Sequence, residues 1–143
     1  MSKSEDEDPR VWGPHYWFFL HTMARTYPDK PNDVIKRKYY DLLTNFPLFI
    51  PHRALADQMA SWLDKFPVQP YLASRASLEK WVLFLHNKVN RQMGKDELTM
   101  EEATLAVQRL YKPPEYLPYA NREWLANTAV IVVLLVLVSF LRG

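Results

Sequence analysis

Proline placement limits the folds open to this chain more than any other feature. Eleven prolines stand against three glycines in 143 residues. Proline removes a backbone donor and ends helices, whereas tight hairpins draw on glycine at positive φ. That balance predicts helices separated by stiff, proline-marked connections, not a hairpin-rich β fold. A first helix is expected from about Pro14 to Arg25, with proline at an early position, ending at the Tyr27-Pro28 turn. A second is expected from Asn32 to Asn45, with Val34, Ile35, Tyr39, Leu42 and Leu43 facing inward. Phe46 to Pro51 is a proline-bracketed break. A third helix, His52 to Phe66, carries Leu55, Met59, Trp62, Leu63 and Phe66 at helical spacing. Residues 67–74 read as a loop. A fourth helix is capped by Ser77, carries the stripe Leu78, Val82, Leu85 and Val89, and ends at Gly94. The stripes of the third and fourth helices are expected to face each other. Thr99 and Glu102 form a T-x-x-E capping box that opens a fifth, short helix. The fold class is therefore all-α: a four-helix bundle with a short fifth helix over residues 10–110.

The flanks differ from this body. Residues 1–9 hold four acids and one base and read as a flexible acidic tail. Residues 111–123 are proline-rich and read as an extended linker. From Trp124 to Leu141 there is no charge and no proline. Eighteen helical residues rise about 27 Å, close to the ~30 Å hydrocarbon core of a bilayer. Trp124 and Arg142 sit where interfacial anchors belong. The expectation is a single C-terminal transmembrane helix at 124–141, with the domain on the cytoplasmic side because no apolar signal segment opens the sequence.

Charge inside the body is lopsided. Residues 10–95 hold 13 Lys or Arg against 6 Asp or Glu, although the whole chain nets only +2. Such a segment suits an anionic partner (a phosphate-bearing cofactor, a lipid headgroup or an acidic protein) or is simply a solvated face. Nucleic acid is not an expected partner. The chain has no cysteine, which excludes disulfides, thiolate metal sites and thiol nucleophiles made from its own residues. No metal site is expected.

Two polar and aromatic constellations remain once the core is assigned. The first is Trp12, Gly13, Trp17, Leu20, His21, Ala24, Tyr27 and Pro28; Trp17 and His21, four apart, share a helix face. The second is Trp81, His86, Asn87, Val89, Asn90, Gly94 and Lys95. There Val82, His86 and Asn90 lie along one edge of the fourth helix, and Lys95 follows its end. Buried imidazole and amide groups need partners, which protein, water or a ligand can supply. Together they could line a slot, with aromatic planes for a flat ring, His and Asn for its edge, and Lys for a phosphate.

In these motifs the sequence resembles the Erv/ALR family of FAD-dependent sulfhydryl oxidases, over about Arg10 to Leu110. The resemblance implies a four-helix bundle with a short fifth helix. It implies FAD held by Trp12, Gly13, Trp17 and His21, and by Trp81, His86, Asn87, Asn90 and Lys95. It also exposes a departure. Family members place a redox C-x-x-C directly after the proline at position 51, where this chain has His52 and Leu55. The family's second disulfide falls on Leu83 and Met100. Neither imidazole nor isobutyl can relay two electrons from a dithiol, so sulfhydryl oxidase activity is not expected. Two uses of the slot stay open: it holds FAD, or neighbouring aromatic side chains such as Tyr16, Phe18, Phe19 and Phe84 fill it. The resulting expectation is a non-catalytic, membrane-anchored structural or adaptor protein. A minor capsid or virion-membrane component linking shell to bilayer fits, because the family also occurs in large DNA viruses. The alternative is a flavoprotein oxidoreductase that works without its own thiols.

Overall fold

A computed structural model describes residues 8–112. Residues 1–7 of the expected tail at 1–9, residues 113–123 of the expected linker at 111–123 and the membrane span at 124–141 lie outside the described residues. Asp8 and Pro9 belong to the start of the first helix and Tyr111 to the end of the last, not to tail and linker. Among the described residues there is no strand, and no helix is long and apolar enough to cross a membrane.

Five α-helices follow in order: α1 Pro9–Arg25, α2 Asp33–Asn45, α3 Arg53–Lys65, α4 Arg75–Gln92 and α5 Met100–Tyr111. Short 3-10 turns at Phe46–Phe49 and Gln69–Ala73 bracket α3. Helix α1 starts a turn earlier than the proline pattern suggests. Asp8 caps it, its carboxylate accepting from the Arg10 amide at 2.8 Å, and Pro9 takes the first turn, where no donor is needed. Pro14 therefore sits inside α1 instead of opening it. Asn32 caps α2 as its sequence position suggests. The cap of α4 is Ser74, not Ser77: Ser74 is extended, and its hydroxyl accepts from the Ser77 amide. Thr99 and Glu102 form the reciprocal capping box of α5.

The core is built from α1 to α4 and the two 3-10 turns, with Leu20, Ala24, Tyr27, Leu43, Met59, Leu78, Trp81, Val82 and Leu85 at its centre. The fourth helix packs most extensively on α1 and then on the 3-10 turn at Gln69–Ala73, so its stripe faces chiefly the first helix and not, as expected, the third. Only Met59 of α3 is fully buried. Val34 is 65% exposed, contrary to its expected inward place, while Ile35, Tyr39 and Leu42 pack against the core. The segment read as a loop contributes more than a connection. Val68 and Leu72 are buried in it, and the Tyr27 hydroxyl donates to the Leu72 carbonyl at 2.9 Å. Arg75 closes the same corner, donating to the Tyr27 carbonyl and pairing with Asp29 at 3.3 Å.

Candidate functional site

The α1–α4 contact brings the two motifs together. Trp17 lies flat on His86, with centroids 4.1 Å apart and planes 10° from parallel. Four residues along α1, His21 meets the same imidazole edge: its Nε2 is 2.9 Å from His86 Nδ1. One nitrogen must carry the proton and the other accept it, so this bond requires at least one neutral ring. Burial satisfies that requirement. It pushes His21 down to about 4, and pushes His86 down to about 3 with help from His21 and the Lys95 ammonium. At neutral pH the cluster is an uncharged pair of imidazoles under an indole, with a cation beside it.

Lys95 is placed by the way α4 ends. Gly94 has φ +67°, in the left-handed region where a side chain would be strained. The Lys95 amide donates to the Asn90 carbonyl at 2.8 Å and the Gly94 amide to the Arg91 carbonyl at 3.2 Å. These two bonds form a Schellman motif, so the glycine that ends the helix also sets the lysine's position. Asn90 itself is 7% exposed.

The other motif residues divide. Trp81 is a core residue whose indole donates to the Phe66 carbonyl at 3.0 Å. Both ends of the Asn87 amide are engaged by Leu98, as donor to its carbonyl and acceptor from its amide, each at 2.8 Å. Trp12 packs edge-on against Tyr16 at 5.0 Å. Gly13 lies in the first half of α1, and a β-carbon added there would meet nothing within 4 Å. Its own packing therefore does not require glycine, although glycine in a helix costs about 0.5–1 kcal/mol relative to alanine.

At the start of α3, His52 and Leu55 remain linked, but as a helix cap. The His52 Nδ1 accepts from the Leu55 amide at 3.3 Å. Leu83 is half-buried on α4, and Met100, the first residue of α5, is 38% exposed. Among the described residues no group of His, Asp and Glu could hold a metal. Sequence reasoning passed over Arg25, Glu79 and Thr104, which line a small cavity with His21. The i, i+4 spacing of His21 and Arg25 was the one signal available for them.

Comparison with known proteins agrees with this geometry. The Erv1 / Alr family model matches residues 14–111. The chain is 33% identical over 112 residues to the probable FAD-linked sulfhydryl oxidase R368 of Acanthamoeba polyphaga mimivirus, covering 78% of each chain. It is 35% identical over 83 residues to the mitochondrial FAD-linked sulfhydryl oxidase erv1 of Schizosaccharomyces pombe, covering 58% of this chain and only 46% of that one. The yeast Erv1 core superposes with a TM-score of 0.64 at 26% identity, over 72% of this chain and 86% of its own. With the family model matching residues 14–111 and the helical fold shared, this cysteine-free chain belongs to the Erv1 / Alr family.

Proposed function

We propose that this chain is a non-catalytic member of its family: a helical module that keeps a flavin-type site, has lost the thiols beside it, and serves as a membrane-tethered structural or adaptor protein. The observation that carries the reading is the fate of His52 and Leu55. Where the resemblance calls for a redox dithiol, one side chain caps α3 and the other is its aliphatic third residue, and the whole sequence holds no cysteine. A dithiol substrate has no sulfur on this chain with which to exchange.

The residues at the α1–α4 interface fit FAD. Trp17 and His86 offer a stacked aromatic surface, and the neutral His21–His86 pair offers ring nitrogens to a polar edge. Lys95 supplies positive charge for phosphate, and the open space beside Gly13 admits close approach to backbone. Flavin bound there would supply a two-electron acceptor. The chain's own residues would hold and orient it, while none of them offers a thiolate. This fit favours, as a second reading, a flavoprotein oxidoreductase that takes electrons from something other than its own thiols.

The tether rests on the uncharged run at 124–141, and the basic body suits an anionic neighbour. Similarity to a mimivirus protein supports a viral setting, in which the module would be a minor capsid or virion-membrane component joining shell to bilayer. Oxygen uptake with dithiothreitol tests the loss of catalysis. The expected rate equals that of free FAD at the same concentration. A turnover above that background, abolished by His52→Ala, would overturn the reading.

A further inference from the structure

Helix α5 is held differently from the other four. Its buried side chains, Ala103 and Val107, are small, and both lie outside the core cluster. None of the extensive pairings between elements involves it. Its first turn is self-sufficient, because Thr99 and Glu102 satisfy each other's backbone and side-chain groups. The connection from α4 leaves through the Gly94 turn. One side chain of the body then grips it: Asn87, with its two bonds to Leu98. The neighbouring Arg91–Glu97 pair is largely exposed and adds little hold. Beneath α5 lies a cavity of about 10 Å³, the size of one water. His21 and Arg25 of α1 and Glu79 of α4 form its floor, and Ala103, Thr104 and Val107 of α5 are part of its roof.

We propose that α5, with Leu98 and Thr99 before it, is a lid hinged at residues 93–97 and latched by Asn87, that opens over His21 while the four-helix body stays folded. Opening breaks the Asn87–Leu98 pair and uncovers two small apolar side chains. Unfolding the body uncovers the whole core, so the two events are separated in free energy. The open lid turns a narrow, partly open pocket into a cleft with an imidazole, a guanidinium and a carboxylate on its floor, so α5 sets how freely a small polar molecule reaches the half-buried His21. This assigns Asn87 a task in the fourth-helix motif that does not depend on flavin.

A cysteine-free chain allows a clean test, since one introduced thiol is the sole target for a maleimide. Ala103→Cys places it under the lid, and Leu78→Cys places it in the core of the body. In the full chain, held in detergent micelles, Ala103→Cys should label at least about tenfold faster than Leu78→Cys. Adding Asn87→Ala should speed Ala103→Cys by a further ~tenfold, the loss of two hydrogen bonds, and leave Leu78→Cys unchanged. Should Asn87→Ala not fold, Thr99→Ala, which frays the lid's first turn, should give the same selective acceleration. Equal labelling at the two positions, or equal acceleration of both, would show that α5 opens only with the whole domain and would overturn the lid.

Discussion

The α1–α4 interface and the start of α3 carry the two halves of the arrangement that the family resemblance implies, and they differ in what holds their residues in place. At the interface, Trp17, His21 and His86 touch one another, and Trp81 and Asn87 are bonded to backbone carbonyls elsewhere in the fold. Each contributes packing or hydrogen bonds whether or not a cofactor is present. At the start of α3, the surroundings of His52 and Leu55 ask only for a helix cap and a half-buried side chain. A thiol there has value for chemistry and little for folding. The difference teaches that retained motif residues report on structure first. At His52 and Leu55, by contrast, the fold makes few demands of its own.

The comparison breaks most visibly if the interface proves dispensable. Trp81→Ala removes a 2% exposed indole and leaves the Phe66 carbonyl without its donor. The expected loss is about 3–5 kcal/mol, enough to unfold a marginal domain, read by urea titration followed by circular dichroism. A shift under about 1 kcal/mol would mean that this residue is not part of the load shared by α1 and α4.

The imidazole pair makes a sharper statement because its sign is fixed. Both folded groups titrate below the ordinary histidine value of 6.5, His21 at about 4 and His86 at about 3. Between pH 6.5 and 4 the unfolded chain therefore binds protons that the folded chain does not. Stability is full above about pH 6.5 and falls as the pH drops, with a slope approaching about 1.4 kcal/mol per pH unit for each imidazole. The decline levels off once the folded rings protonate. Melting temperatures should drop between pH 7 and 5, and the double variant His21→Phe, His86→Phe should flatten that drop. A parent protein equally stable at both pH values would contradict the buried, neutral pair.

Much of this was legible in the sequence, and the failures have physical causes. Proline and capping chemistry located five helices and the Thr99–Glu102 box, because these are local backbone demands. The stripe of α4 showed its inner face, but periodicity does not name the helix that lies opposite, and that proved to be chiefly α1. Pro14 and Ser77 misled for a related reason. Each is a good boundary residue with a better-placed neighbour a few positions earlier, Asp8 or Ser74. Val68 and Leu72 hid among prolines that read as loop. At the site, spacing brought Trp17 and His21 onto one face, and the second motif supplied His86. The engagement of Asn87 by Leu98 could not be foreseen, since it depends on how the chain turns back after Gly94.

The smallest expected effect belongs to the lost half. His52→Ala removes one long cap interaction of 3.3 Å and should lower stability by about 0.5–1 kcal/mol, a shift of a few degrees in melting temperature. A loss several times larger would mean that His52 has a task beyond capping α3.

The central claim, a kept flavin-type site with no thiol relay beside it, is tested most directly by visible absorption of the purified protein before and after dithiothreitol under anaerobic conditions. The account predicts a flavin band in the protein fraction that bleaches no faster than free FAD at the same concentration. A colourless protein that takes up no FAD would contradict the kept site, and bleaching well ahead of free FAD would contradict the missing relay.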